Sequence, residues 1–363
     1  MIMPEKLKEL NKNLNEVSDW LNFDRIPWLI AGPCSAESEE QVVSTARELV
    51  KSPNVKMFRA GVWKPRTRPN TFEGVGKVGL EWLKSVKAET SLPTTTEVAN
   101  AKHVELCLEN DVDVLWIGAR TTVNPFVVQE IAEALRGVDI PVMVKNPINA
   151  EIGLWIGAIE RLYNTGIKKI AAIHRGFSTY IEMQYRNRPN WQIPVELKRL
   201  LPKIPLICDP SHIAGNRKFI EPISQMALDI GIKGLMIETH INPNEALSDS
   251  KQQVTPGALI DLLSRLKARD TEPDNLLRAK MTLLRSAISH VDSRIIQELA
   301  ERMKWVEDIG KLKQEKCIPV LQIDRWEKLL DDNIAVAQKV GLNADFIKEV
   351  FELIHAQAIK KQL

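Results

Sequence analysis

Eight short, apolar, β-rich runs recur through the first two-thirds of the chain with amphipathic helical patterns between them, and this alternation constrains the fold most. The runs are WLIAG (28–32), VKMFRA (55–60), LPTTTE (92–97), DVLWIG (113–118), PVMVK (141–145), IAAIHRG (170–176), IPLICD (204–209) and GLMIETH (234–240). Continuous apolar strands of this kind are buried on both faces, which calls for a parallel sheet covered by helices. Eight such units in about 215 residues fit a closed (β/α)8 TIM barrel. An open doubly wound sheet is the alternative. The polar residues separate the two. Every run except the third ends in a charged or metal-capable group: Cys34, Arg59 with Lys64, Arg120, Lys145, Arg175, Asp209 with His212, and Glu238. Barrel enzymes carry their chemistry at the C-terminal strand ends, so the one-sided pattern favours a barrel.

The strand pattern stops after LLSRLKARDTEPDN (262–275). The expected organisation is a barrel over residues 1–265, a linker over 266–274 and an all-α three-helix domain over 275–363. From about Leu276 to Lys313 apolar residues keep helical spacing through Leu277, Met281, Leu284, Ile288, Val291, Ile295, Leu299, Val306 and Ile309. A helix of about 38 residues spans about 57 Å. Two shorter helices, predicted near 322–340 and 344–362, cannot cover it. A partner copy is expected to complete the bundle, giving a homodimer through the helical domain or a higher assembly.

Composition narrows the class further. With 49 Lys plus Arg against 47 Asp plus Glu, the net charge of +2 provides no general field for nucleic acid, so any cationic site is local. Cys34, Cys107, Cys208 and Cys317 lack paired spacing, which suits a reducing compartment. The opening MIMPEKLKELNKNLNEVSDW has no signal-peptide core, and no run approaches the roughly 20 apolar residues of a membrane span. A cytoplasmic protein without membrane or nucleic-acid partners is expected.

Two constellations carry chemistry. KPRTRP (64–69) sets Lys64, Arg66 and Arg68 just past a strand, and Arg59, Arg120, Lys145 and Arg175 come from other strand ends. Such cations repel one another unless anions fill the site, and guanidinium forks match phosphate and carboxylate. Multiply anionic substrates follow, although any one of these side chains alone reads as a solvated charge. The second set is Cys34, His212, Glu238 and Asp249, whose mixed soft and hard donors without CxxC spacing suit a catalytic divalent metal. Taken singly, Cys34 reads as a packed hydrophobe, His212 as a loop histidine and Asp249 as a helix N-cap. His240 reads equally as support for a ligand or as packing.

GPCSAE (32–37), KPRT (64–67), GART (118–121), Lys145 in VKNP, HRG (174–176), DPSH (209–212), IETH (237–240) and ALSD (246–249) together resemble the type I 3-deoxy-D-arabino-heptulosonate 7-phosphate (DAHP) synthases over about residues 25–265. The resemblance implies condensation of phosphoenolpyruvate with erythrose 4-phosphate, the first step of the shikimate pathway. It implies metal ligation by Cys34, His212, Glu238 and Asp249, with manganese favoured and cobalt, iron or zinc accommodated by the same donors. Arg59, Lys64, Arg120, Lys145 and Arg175 would bind phosphoenolpyruvate, and Lys64, Pro65, Arg66 and Thr67 would line the erythrose phosphate site. A cation polarising the aldehyde would make it attackable by the weakly nucleophilic enol phosphate. Lys64 is the candidate proton donor to the new alkoxide. A metal-free aldolase using Lys145 as a Schiff base is the competing reading, and it leaves the four metal-type residues unexplained.

In the helical region, Arg302 and Lys313 stand three turns apart on the apolar face of the long helix, where an anionic ligand would balance them. LLRSAISHVDSRIIQELAERMKWVEDIGKLK (283–313), continuing through Gln362, resembles the all-helical chorismate mutases. That resemblance implies a chorismate or prephenate site of Arg285 from the partner chain with Arg302, Lys313, Arg325 and Gln362, in which Lys313 and Gln362 attend the breaking ether bond. Three positions depart from the family pattern: Gln322 and Trp326 replace acids, and Ala358 replaces a serine. A weakly catalytic domain that serves as regulatory sensor or dimerisation module is therefore the alternative. Fusion of a first pathway enzyme to one that handles a later product suggests feedback inhibition of the synthase by prephenate or chorismate.

Overall fold

The computed structural model describes residues 5–20, 25–65, 71–179, 184–269 and 275–363. The eight apolar runs form β1 Trp28–Gly32, β2 Val55–Arg59, β3 Thr94–Val98, β4 Val114–Ile117, β5 Val142–Lys145, β6 Ile170–His174, β7 Leu206–Cys208 and β8 Gly234–Glu238. They are parallel and close in sequence order, β8 pairing with β1 from Trp28↔Gly234 to Gly32↔Glu238. The sheet is thus a TIM-type barrel rather than an open one.

Strand alternation sorts side chains into two layers. Trp28, Ile30, Met57, Val114, Trp116, Met143, Ala171, Ile173, Ile207 and Met236 fill the interior. Their neighbours, such as Leu29, Phe58, Leu115, Val144, Ala172 and Ile237, pack outward beneath the helices. Gly234 is required at the closing seam, because a Cβ there would enter the indole of Trp28.

The helices of the first unit are α1 Glu5–Asn13, α2 Glu39–Leu49, α3 Lys77–Thr90, α4 Ala101–Glu109, α5 Ala119–Thr122, α6 Pro125–Ala134, α7 Ile152–Asn164, α8 Gln192–Leu200, α9 Pro210–Ala214, α10 Ile220–Asp229 and α11 Pro256–Arg265. Their starts follow local chemistry: Ser38, Asn100, Asn124, Asp209 and Thr255 each accept a backbone N–H in the first turn, the last three before a proline at the first helical position.

The chain separates into two compact units, Met1–Asp270 and Thr271–Leu363. The second consists of α12 Asn275–Glu315, α13 Ile323–Lys339 and α14 Ala344–Gln362. At 1.5 Å per residue α12 is about 60 Å long. Among its described residues only Val306, Ala337, Ile347 and Ala358 are buried hydrophobics, while Leu283, Leu284, Ile288, Ile295, Ile296 and Trp305 stay exposed. Three helices with so little core are under-stabilised as an isolated unit. No helix among the described residues is long and apolar enough to cross a membrane.

Candidate active sites

The C-terminal strand ends place two groups of side chains next to each other. The first forms around Cys34. β1 ends at Gly32, which has φ 144° and no Cβ because the Arg59 carbonyl occupies that space. Beyond it the chain buries Cys34, whose N–H donates to Gln253 Oε1 at 3.0 Å. Cys34 Sγ lies 3.6 Å from Asp249 Oδ2, and donor atoms of Cys34, Glu238 and Asp249 all fall within 4.8 Å of one another. His212 stands beside this trio, with Nε2 3.7 Å from Glu238 Oε1 and Nδ1 2.8 Å from Asp209 Oδ2. Asp209 is fully buried and also accepts the His212 backbone N–H. Donation from Nδ1 to Asp209 leaves the Nε2 lone pair on the side of the trio, the orientation a metal-ligating imidazole needs.

The protonation states of these groups differ. Burial, reinforced by the Glu238 charge, pushes the Cys34 thiol up to about 12. Burial also holds His212 below the ordinary imidazole value. For Glu238 and Asp249 burial opposes ionisation, but His212 together with Arg59 (for Glu238) or Arg186 (for Asp249) outweighs it, and both carboxyls sit below their usual range. One sulfur, two carboxylates and an adjacent imidazole fit a divalent transition metal.

The second group is cationic. Arg59 is 1% exposed. Its Nη2 donates to Glu238 Oε1 at 3.0 Å and its guanidinium lies 5.1 Å from the Trp116 ring centroid. Its Nε and Nη1 are buried with no hydrogen-bond partner among the described residues. Lys145 Nζ bonds Asp209 Oδ2 at 2.8 Å and lies 5.7 Å from the same indole. Arg175 Nη1 donates to Asn187 Oδ1 at 2.8 Å. Burial, with Arg186 and Arg120 acting against Asp209, pushes Arg175 down to about 10. Arg120, Lys145, Arg175, Arg186 and His212 surround a cavity of about 240 Å³ together with Glu97. A larger hollow of about 520 Å³ around Trp28, Leu206 and Ile232 lies away from all of these groups, at the N-terminal strand ends. Lys64 spans the two groups, its Nζ donating to the Cys34 carbonyl at 2.7 Å. Pro65 follows it, and Arg66, Thr67 and Arg68 lie outside the described residues.

Several participants carry no recognisable mark in the sequence. Gln252, 1% exposed, donates from Nε2 to Glu238 Oε2 at 2.7 Å and accepts from Arg186 Nη1 at 2.9 Å. The same Arg186 nitrogen donates to Asp249 Oδ1 at 3.0 Å. Gln253 links the Cys34 turn to the Asp249 loop by also donating to the Ser248 carbonyl. Asp249 itself has φ 47°, a left-handed conformation that aspartate tolerates better than most residues. The third strand does contribute, through Glu97, which accepts from Trp116 Nε1 at 3.0 Å. His240 braces the loop rather than a ligand: Nδ1 accepts the Asn242 N–H at 2.9 Å and Nε2 is 3.7 Å from Glu37. His174 points away from the barrel interior, between Phe177 and Trp191.

In the helical unit, Arg302 and Gln362 are half-buried, and Arg302 Nη1 and Gln362 Oε1 have no hydrogen-bond partner among the described residues. Lys313, also half-buried, donates to the Val320 carbonyl at 2.7 Å. Gly310 allows α14 to approach α12, since a Cβ there would press on Gln362. Arg285 and Arg325 are exposed. Arg285 lies about 25 Å from Arg302 along α12 at 1.5 Å per residue. Trp326 stacks on His355, with centroids 3.9 Å apart and planes inclined by 13°.

Residues 23–273 match the family model for the DAHP synthetase I family, and residues 284–363 match that for chorismate mutase type II. The chain is 30% identical to a phospho-2-dehydro-3-deoxyheptonate aldolase of Thermotoga maritima, over 66% of this chain and 68% of that protein. It is 27% identical to a 2-dehydro-3-deoxyphosphooctonate aldolase of Legionella pneumophila, over 68% of this chain and 93% of that one. The crystal structure of a Thermotoga maritima phospho-2-dehydro-3-deoxyheptonate aldolase is similar with a TM-score of 0.59 and 32% identity, covering 65% of this chain and 67% of that one. A truncated 3-deoxy-D-arabino-heptulosonate 7-phosphate synthase from the same organism gives 0.57 and 29%, covering 65% and 84%.

Proposed function

The chain belongs to the DAHP synthetase I family and carries a chorismate mutase type II domain after its barrel, and from that premise we propose a bifunctional enzyme with a metal-dependent synthase whose output is restrained by its own helical unit. The observation that carries the synthase reading is Arg59: a buried guanidinium with two unpaired nitrogens, held by Glu238 at the edge of the candidate metal site. Buried unsatisfied donors on a cation call for a partner, and an anionic substrate group suits them.

Cys34, His212, Glu238 and Asp249 would hold the metal, which supplies Lewis-acid polarisation of the aldehyde oxygen. Arg59, Lys64, Arg120, Lys145 and Arg175 would hold the carboxylate and phosphate of phosphoenolpyruvate, and of these Arg59 and Lys145 lie over the Trp116 ring. Lys64, Pro65, Arg66 and Thr67 are assigned to the aldehyde phosphate. The methylene carbon of phosphoenolpyruvate forms the new bond to the aldehyde carbon, and the carbonyl electron pair moves onto its oxygen. Lys64, which donates to the Cys34 carbonyl, would protonate that oxygen. Water adds at C2, and inorganic phosphate leaves with C–O cleavage. A seven-carbon product requires a four-carbon aldose phosphate, whereas the phosphooctonate relatives imply a five-carbon one. Erythrose 4-phosphate is therefore the expected partner. Assay of the purified chain with both aldose phosphates, before and after EDTA treatment, tests this. Activity that survives the chelator overturns the metal assignment, and preference for the five-carbon sugar overturns the substrate.

In the helical unit, Arg302, Lys313, Arg325 and Gln362 would hold chorismate in its compact conformer, with Arg285 arriving from a second copy. The exposed apolar residues of α12 and the distance of Arg285 from Arg302 support a homodimer. Arg302→Ala is expected to abolish conversion of chorismate to prephenate while leaving helix content intact.

A further inference from the structure

Resting on the mutase-type reading of the helical unit, we propose that His355 is an additional contact for the bound dicarboxylate and takes up a proton as the ligand enters. His355 lies on α14 two turns before Gln362 and one before the buried Ala358, so the three share a face. That face meets α12 where Gly310 admits Gln362. Its ring is held flat against the Trp326 indole of α13, which fixes ring orientation while leaving the ring nitrogens at the edge of the stack.

The surroundings make the imidazole responsive to an anion. From α12, Arg302 and Lys313 bear on it electrostatically; from α13 it meets the uncharged Trp326; no charged group of α14 shifts it. Burial first, and then those two cations, hold His355 below the ordinary imidazole value, which favours its neutral form. Arg302 Nη1 and Gln362 Oε1 have no hydrogen-bond partner among the described residues. No acid stands at positions 322, 326 or 358 to balance the cations, since these are Gln322, Trp326 and Ala358. A dicarboxylate brings two negative charges to the groups that suppress the imidazolium. Its arrival offsets those two positive charges, and the His355 pKa rises.

The sign follows from linkage. Binding raises the His355 pKa, so the complex holds more protons than the free protein. Affinity is greatest at pH values below the free-state pKa and falls as pH rises towards the bound-state value, by at most about tenfold per pH unit. Protonated His355 also offers the ligand a charged donor on a face where Trp326 and Ala358 present no side-chain oxygen.

Calorimetric titration of the full chain with prephenate at pH 7, in phosphate and in Tris, reads the proton directly because the two buffers differ in ionisation enthalpy. The expected result is uptake of roughly 0.3 to 1 proton per site in the wild type. His355→Phe keeps a ring to stack on Trp326 and is expected to bind more weakly with uptake near zero. Wild-type binding without uptake, or uptake unchanged in His355→Phe, overturns the proposal alone. Absence of prephenate binding in the wild type overturns the ligand-site reading beneath it, and the proposal with it.

Discussion

Loading the barrel with metal should release one proton, and that proton should come from Cys34. Of the four donors, burial holds His212 below the ordinary imidazole value, and Glu238 and Asp249 lie below the usual carboxyl range despite burial. All three are therefore in their metal-ready forms at neutral pH. Cys34 alone is not, because burial and the Glu238 charge push its thiol up to about 12. Since the thiolate is the ligand, the thiol proton must leave on binding. The apparent affinity for Mn or Co then rises about tenfold per pH unit, or about a hundredfold from pH 6.5 to 8.5. Competition against a chromophoric chelator across that range measures the slope. In Cys34→Ser the slope should collapse towards zero, because the hydroxyl binds without losing a proton. A wild-type slope near zero would refute ligation by the thiolate. One near two would show that His212 enters the reaction protonated.

Three further outcomes are expected. Arg59→Lys keeps a charge beside buried Glu238 but removes the two unpaired guanidinium nitrogens, so steady-state kinetics should show KM for phosphoenolpyruvate rising about 10- to 100-fold, with little change in melting temperature. Gln252→Met preserves side-chain length but removes the link between Glu238 and Arg186, and metal titration should show affinity falling about 10- to 100-fold. In Arg302→Ala, inhibition of the synthase by added prephenate should disappear while uninhibited synthase rates hold; inhibition equal to wild type would remove the helical unit from the regulation.

The barrel was legible because burial on both faces writes an unbroken apolar run for every strand, and because the chemistry sits where each run ends. Cys34, Arg59, Lys145, Arg175, His212 and Glu238 could be marked as candidates by their place at the strand ends, while the metal reading needed their combination and the family resemblance. Glu97 escaped notice because its run, LPTTTE, lacks the aliphatic signature, and its acid lies within the strand instead of beyond it. Gln252 and Gln253 carry no charge, and nothing in KQQ distinguishes an amide that joins two ionised groups from a solvated one. Trp326 was visible as a departure from a pattern. Its stack on His355 was not, because that pairing depends on how α13 meets α14. The near absence of a core in the helical unit, by contrast, could be anticipated from the length of α12.

Asp209 accepts from Lys145 with the same Oδ2 that lies nearest His212 Nδ1, and it is fully buried. Lys145, proposed to bind the phosphorylated substrate, and His212, proposed to bind the metal, therefore draw on a single counterion. Changes to one are felt by the other through a group that cannot turn away into water. A substitution at His212 is therefore expected to disturb Lys145, and one at Lys145 to disturb His212, through their shared acceptor. A substitution at Asp209 would alter both side chains at once, so its effect on activity could not be apportioned between them.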